Sequence, residues 1–213
     1  MHIDCLPPKM PMIFERLSGY LATTEACLAG GTGIAFYLGH RLSVDIDLFT
    51  PKSFQTEEVV AAIKAGQLSL KILSEGVGTF VAEVENTKFS LFTYPYPFID
   101  KTTTLWGGRV AGLLDIASMK VIAISQRGTK RDFVDLFFIL RDIPFRKIAN
   151  NMLTRFGAER ISPTVIGKAL IYFVDAESDP EPRYIKKQTV EWAKIKRFFV
   201  KNIKQFVYDL HEL

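Results

Sequence analysis

Asp45 and Asp47 stand one residue apart in the stretch SVDIDLF, residues 43–49, where polar and apolar side chains alternate. Alternation with period two predicts a strand, and side chains two apart share one of its faces. Ser43, Asp45 and Asp47 then line one face, while Val44, Ile46 and Leu48 line the face that packs. Two carboxylates this close repel each other unless a cation stands between them. A hard divalent ion such as Mg2+ suits them as ligands, and it also takes phosphate oxygens.

Upstream, Gly30-Gly31-Thr32 precedes a run, Gly33 to His40, that predicts a short helix. A helix start offers free backbone N–H groups and the positive end of its dipole, here beside the Thr32 hydroxyl, and attracts phosphate. Glycine suits the bend because a Cβ would block close approach. The helix runs about 12 Å at roughly 1.5 Å per residue. The strand returns at about 3.3 Å per residue, so the aspartates come back level with the helix start. An Asp-X-Asp alone is most often a solvated strand face, and a glycine pair before a helix is common. Their joint spacing is what predicts convergence on a metal–triphosphate complex. Two rival glycine motifs fail: a dinucleotide fingerprint from Gly31 would end at Phe36, and no Gly-Lys-Ser/Thr closes a P-loop.

A second group lies downstream. In LLDIASMKVIAIS the apolar positions Leu113, Ile116, Ala117, Val121 and Ile124 form one helical stripe, and Lys120 falls within it. Such a lysine either snorkels to water or meets an anion. Asp115 is placed to cap that helix's start. In QRGTKRDFVDLFFIL, Asp132, Asp135 and Ile139 share one helical face, and Phe133, Phe137 and Leu140 another. Arg131 and Asp135, four apart, are spaced for a helix ion pair. Arg127 and Lys130 precede that face, where they can touch phosphate or RNA. His40-Arg41, after the short helix, suits the negative end of its dipole.

Together, GGTGIAFYLGHRLSVDIDLF and the downstream MKVIAISQRGTKRDFVDLFFIL resemble the AbiEii/AbiGii-type toxin nucleotidyltransferases of the DNA polymerase β-like superfamily. The resemblance covers roughly residues 28–50 and 113–140. It implies transfer of a nucleotide from a nucleoside triphosphate to an acceptor hydroxyl, on RNA such as tRNA or on a protein. It implies a toxin with a separately encoded antitoxin as partner. It makes Lys120 an active-site base facing the nucleotide phosphates, has Asp132 and Asp135 close the site, with Asp135 catalytic or structural, and gives Arg41 a structural or phosphate-binding role. Gly30, Gly31 and Thr32 are the expected nucleotide-binding turn, and Asp45 and Asp47 the Mg2+ ligands. Polymerase β-like enzymes often carry a third carboxylate on a later strand. Here the corresponding position in TKFSLFTY is Ser90, between Lys88 and Phe92. The alternative is therefore a nucleotide- or RNA-binding module with impaired catalysis.

The elements that must position these residues follow from periodicity. A helix is predicted over 10–23, a short strand at EACLAG, and a helix over 55–65 stopped by Gly66. Strands follow at LSLKIL, TFVAEVE and KFSLFTY, with a hairpin turn at Glu85-Asn86-Thr87. Residues 95–112 carry the composition of a loop with one extended piece. From 113 on, five stretches have helical spacing, with a loop over 177–184. The expected architecture is α+β: a nucleotidyltransferase-like mixed β-sheet flanked by helices over 1–112, then a mostly helical region over 113–213 that completes the site.

Composition agrees. The 213 residues are 48% hydrophobic and 23% charged, with 17 Phe to fill a core. No window approaches a transmembrane span, and the N-terminus does not read as a signal peptide. Two cysteines, Cys5 and Cys27, and three scattered histidines give neither a disulfide framework nor a zinc cage and fit the cytoplasm. The net charge of +4 permits nucleic-acid partners. Much of the excess lies in Lys186, Lys187, Lys194, Lys196, Arg197, Lys201 and Lys204 against Glu191, either a solvated helix face or an RNA-facing patch.

Overall fold

The order of elements matches the α+β expectation. The computed structural model describes residues 1–185 and 187–212, so Lys186 of the basic run lies outside the described residues. After a one-turn 3-10 helix come α1 (Met10–Thr24), β1 (Cys27–Leu28), α2 (Gly30–Leu38), β2 (Asp45–Thr50) and α3 (Thr56–Ala65). Five strands follow: β3 (Leu70–Gly76), β4 (Thr79–Val84), β5 (Thr87–Thr93), β6 (Thr103–Leu105) and β7 (Gly108–Val110). The rest is helical: α4 (Leu113–Gln126), α5 (Lys130–Ile139), α6 (Phe145–Phe156), α7 (Pro163–Ala169), α8 (Val174–Glu177) and α9 (Trp192–His211).

The strands form one mixed sheet in the order β3-β4-β5-β2-β1-β7-β6. β2 lies near its middle, parallel to β5 and antiparallel to β1. A central strand is held by backbone hydrogen bonds on both edges, so its side chains are aimed with little freedom. On β2, Ile46 and Leu48 are fully buried, while Asp45 and Asp47 are half-buried on the other face. One core gathers α1 and α3 with the apolar strand faces, including Phe14, Ile46, Phe80 and Phe89. A second gathers α4 to α9 around Ile116, Phe133, Phe138 and Phe199. The short α2 belongs to both, through Ile34 on one side and Phe36 on the other. It therefore holds the strand half and the helical half in fixed relation at the point where the glycine pair lies.

Three local expectations are corrected. The helix expected from Gly33 begins at Gly30. The Gly33 N–H already donates to the Ala29 carbonyl, so Gly31 lies within the first helical turn, while Gly30, with a left-handed φ, makes the bend into it. The segment 95–112 is not a loop with one extended piece. It carries the hairpin β6–β7, turned by Trp106-Gly107 with φ of 48° and 79°, and β7 adds to the sheet beside β1. Strands of three residues show no alternation to find. Asp115 is no cap: its carboxylate accepts from the Asp100 N–H and from Asn151, tying the loop before β6 and the helix α6 to α4. Among the described residues, no helix is long and apolar enough to cross a membrane.

Candidate active site

The face of β2 that carries Asp45 and Asp47 opens onto a cleft of about 310 Å³. Gly30, Gly31, Arg41, Lys120 and Asp132 also line it, with Ser90 opposite Asp47 in the parallel register with β5. Residues from α2, β2, α4 and α5 thus reach one cavity. The Ala29 N–H donates to the Asp47 carbonyl at 3.0 Å, which clamps the start of α2 to the acidic strand. Gly30 has φ of 59°, and a Cβ there would sit 3.1 Å from Asp47 Oδ2. The N–H groups of this first turn have no carbonyl of their own helix to meet.

Thr32 does not line the cleft. Its hydroxyl is buried and engaged with Ser43 Oγ at 2.7 Å and with the Asp45 carbonyl. The hydroxyl expected beside phosphate therefore braces the acidic strand from behind.

Burial raises the Asp47 pKa, and the neighbouring Asp45 charge raises it further; the Ser90 hydroxyl, Lys88 and Lys120 pull the other way. Among the described residues neither Asp45 nor Asp47 is in an ion pair. Nor do three or more His, Cys, Asp or Glu side chains converge among the described residues to hold a metal ion. Two unneutralised carboxylates form a hard, all-oxygen but incomplete donor set. Mg2+ typically binds through one or two carboxylates, keeps several waters and takes substrate phosphates. The residues fit an ion completed by a triphosphate, rather than a closed resident site.

Behind the cleft lies a buried charge network. Lys120 Nζ sits 2.7 Å from Asp132 Oδ1 and 2.9 Å from Asp135 Oδ2. Arg41 grips Asp135 with two parallel bonds, Nε to Oδ1 at 2.7 Å and Nη2 to Oδ2 at 2.8 Å. His40 Nε2 reaches the same Oδ1 at 2.7 Å. Asp132 also accepts from Arg127 Nε at 3.0 Å and the Thr129 hydroxyl at 2.7 Å. Burial pushes the Asp132 carboxyl up, but Lys120 and Arg127 outweigh it and hold it at about 2. Burial likewise opposes the Asp135 charge, and Arg41 and Lys120 overcome it, so that carboxyl stays well below the usual range.

The same balance acts on Lys120. Burial lowers its pKa, yet the two carboxylates more than restore it, above the ordinary lysine value. A general base needs a pKa brought down toward neutrality. The direction favours the ammonium form of Lys120, which lies at the cleft wall between Asp132 and Asp135. Arg41 is 4% exposed and its guanidinium is spent largely on Asp135, although it touches the cleft edge. Gly31 makes that possible, since a Cβ there would lie 2.3 Å from Arg41 Nη2. The helix ion pair expected between Arg131 and Asp135 is not formed; Asp135 points inward and Arg131 lines the cleft. Lys130, expected near phosphate or RNA, is buried against Trp192 and pairs with Glu181 at 3.1 Å. His40, read only as a helix-end charge, proves to be an anchor for Asp135. Nothing local signalled it, because its partner lies 95 residues away.

Comparison with known proteins adds an independent line. The family described as "Nucleotidyl transferase AbiEii toxin, Type IV TA system" matches residues 13–206. An uncharacterized protein of Aquifex aeolicus is 33% identical over 188 residues, covering 84% of this chain and 87% of its own. Among solved structures, MenT4, a nucleotidyltransferase toxin of Mycobacterium tuberculosis, is similar with a TM-score of 0.60 at 16% identity, over 94% of this chain and 84% of that one. JHP933 of Helicobacter pylori is similar with a TM-score of 0.56 at 16% identity, over 95% and 92%. At such identities the likeness is one of fold.

Proposed function

The chain belongs to the AbiEii family of nucleotidyl transferase toxins of type IV toxin–antitoxin systems, and on that premise we propose that the cleft between β2, α2 and α4 moves a nucleotide from a nucleoside triphosphate to an acceptor hydroxyl. The observation that carries this reading is convergence: two unpaired carboxylates, the first turn of α2 and a buried ammonium line one cavity. Asp45 and Asp47 would hold Mg2+. When bound, the ion neutralises phosphate charge and favours attack at the α-phosphorus. The free N–H groups of α2 receive phosphate oxygens, with the helix dipole behind them. Lys120 keeps its charge because Asp132 and Asp135 hold it, and it faces the charge that builds on the departing pyrophosphate. Arg41 and His40 fix Asp135, and so fix Lys120. The acceptor hydroxyl attacks in line and displaces pyrophosphate.

An RNA acceptor, such as a tRNA, is supported by a second groove of about 600 Å³ beside α9. Arg141, Lys187, Lys194, Arg197 and Lys201 line it, and none of them is in an ion pair among the described residues. Unneutralised cations of this kind suit a phosphate backbone. The toxin's antitoxin would be a separate protein.

The test is label transfer. Purified protein with Mg2+ and total RNA, or total protein, is given each nucleoside triphosphate labelled at the α- or the γ-phosphorus. The expected result is label in acceptor from the α position only. Ser90, standing where a third carboxylate would, favours one competing reading, a binding module. Mg2+-dependent nucleotide binding with no labelled product from any acceptor would decide for that module.

A further inference from the structure

Between α8 and α9 the chain returns to the charge network behind the cleft and grips it at two points. At the first, Tyr184 pairs with Arg41 in an isolated antiparallel bridge. The Leu42 N–H donates to the Arg183 carbonyl at 2.9 Å, and the Ile185 N–H donates to the His40 carbonyl at 3.1 Å. The Tyr184 ring also packs on Phe138 of α5, with centroids 6.4 Å apart. At the second, Asp179 Oδ2 accepts from the Lys130 N–H at 2.8 Å, at the start of α5. Glu181 Oε1 meets the Lys130 ammonium at 3.1 Å, and the Trp192 ring lies 5.6 Å from that ammonium.

These grips fall on the two elements that hold Lys120. Loop 40–42 carries His40 and Arg41, which bind Asp135. The first turn of α5 carries Asp132, braced by the Thr129 hydroxyl. Asp132 and Asp135 are the two partners of Lys120 Nζ. The Lys130 N–H is one of the donors that a helix start leaves without a carbonyl of its own helix, and a carboxylate is a strong acceptor for it. No residue of 179–185 lines the cleft. The segment acts on the cleft through what it holds.

We propose that residues 179–185 form a strap that positions Lys120, with Asp179 as a positioning residue. The proposal rests on the reading of the cleft as a triphosphate site, where the lysine meets phosphate charge. Two carboxylates fix the lysine only as firmly as they are fixed themselves. With the strap released, loop 40–42 and the first turn of α5 shift apart, and Lys120 Nζ follows them away from the phosphate. A misplacement of about 1 Å in such a site can cost on the order of a hundredfold.

The test measures Mg2+-dependent binding of inorganic tripolyphosphate by calorimetry. The proteins are the wild-type chain, Asp179→Ala, which removes the acceptor, and Ile185→Pro, which removes the N–H that meets the His40 carbonyl. Each is also made in a Lys120→Gln background. Asp179→Ala and Ile185→Pro should each bind about tenfold more weakly than the parent. Asp179→Asn, whose amide oxygen still accepts, should bind as the parent does. In the Lys120→Gln background the strap changes should cost nothing further, because the group they position is gone. An equal loss in both backgrounds, or a lower melting temperature with unchanged affinity, overturns the proposal. A wild-type chain that binds no tripolyphosphate fails the cleft reading itself, and the strap's role falls with it. The readout is binding, so a chain that binds but transfers nothing counts against the transfer reading and not against the strap.

Discussion

Asp47→Asn is expected to lower nucleotide transfer on the order of a thousandfold while leaving the protein folded, and without added metal slightly more stable than the parent. The two effects have one cause. Asp47 is a half-buried carboxylate whose pKa is raised by burial and then by Asp45. A folded-state pKa above the unfolded one means the protonated form is the better fit. Stability from this group is therefore full below the unfolded value and lost as pH rises through the folded value. At neutral pH the parent carries that loss, and an amide, nearly the same shape and uncharged, removes it. On the proposed function, that charge serves to bind a cation. Thermal melts at neutral pH, with and without Mg2+ plus triphosphate, check both halves. The parent should gain stability from the ligand pair by mass action, and the variant should gain little. A variant that transfers at parental rates, or that melts well below the parent, contradicts this account of Asp47.

Asp135→Asn should do the opposite and strike the fold. Asp135 is fully buried and neutralises Arg41 and Lys120, which are themselves 5% and 7% exposed at the side chain. Removing one partner of a buried ion pair leaves uncompensated charge inside, a cost of about 3–5 kcal/mol. For a chain of this size that is roughly a 6–20 °C fall in melting temperature. The pH dependence follows from the same charges. The Asp132 and Asp135 carboxyls are both held below the usual value. Their contribution is complete above the unfolded carboxylate pKa of about 4; that of Asp132 is lost as pH falls toward about 2, and that of Asp135 as pH falls well below the usual carboxylate range. The parent should lose stability steeply over that interval, and Asp135→Asn less steeply. Melting curves of the two proteins across the acid range measure this. Equal slopes would show that the network does not carry the acid sensitivity.

Much of this site was legible because it is local. The alternation around Asp45 and Asp47 set the strand and its acidic face, and the structure keeps Ile46 and Leu48 buried behind them. The stripe around Lys120 marked a lysine within an apolar helix face, which proved to be buried between two carboxylates. What stayed hidden depended on long-range pairing. No pattern near His40 or Arg41 points to Asp135, and spacing alone paired Asp135 with Arg131 instead. The base expected at Lys120 came from resemblance. Burial and the two carboxylates beside it act on its charge in opposite directions, and the carboxylates, both from distant sequence, prevail. The hairpin β6–β7 was missed because three-residue strands borrow their stability from β1 next to them, not from their own sequence.

The most direct check on the central claim is a crystal of the wild-type chain soaked with Mn2+ and a triphosphate whose α–β bridge resists cleavage. An anomalous peak held by Asp45 and Asp47, with phosphate oxygens against the first turn of α2, is the expected result. A metal bound elsewhere, or a triphosphate whose phosphates avoid the Gly30-Gly31 turn, would contradict it.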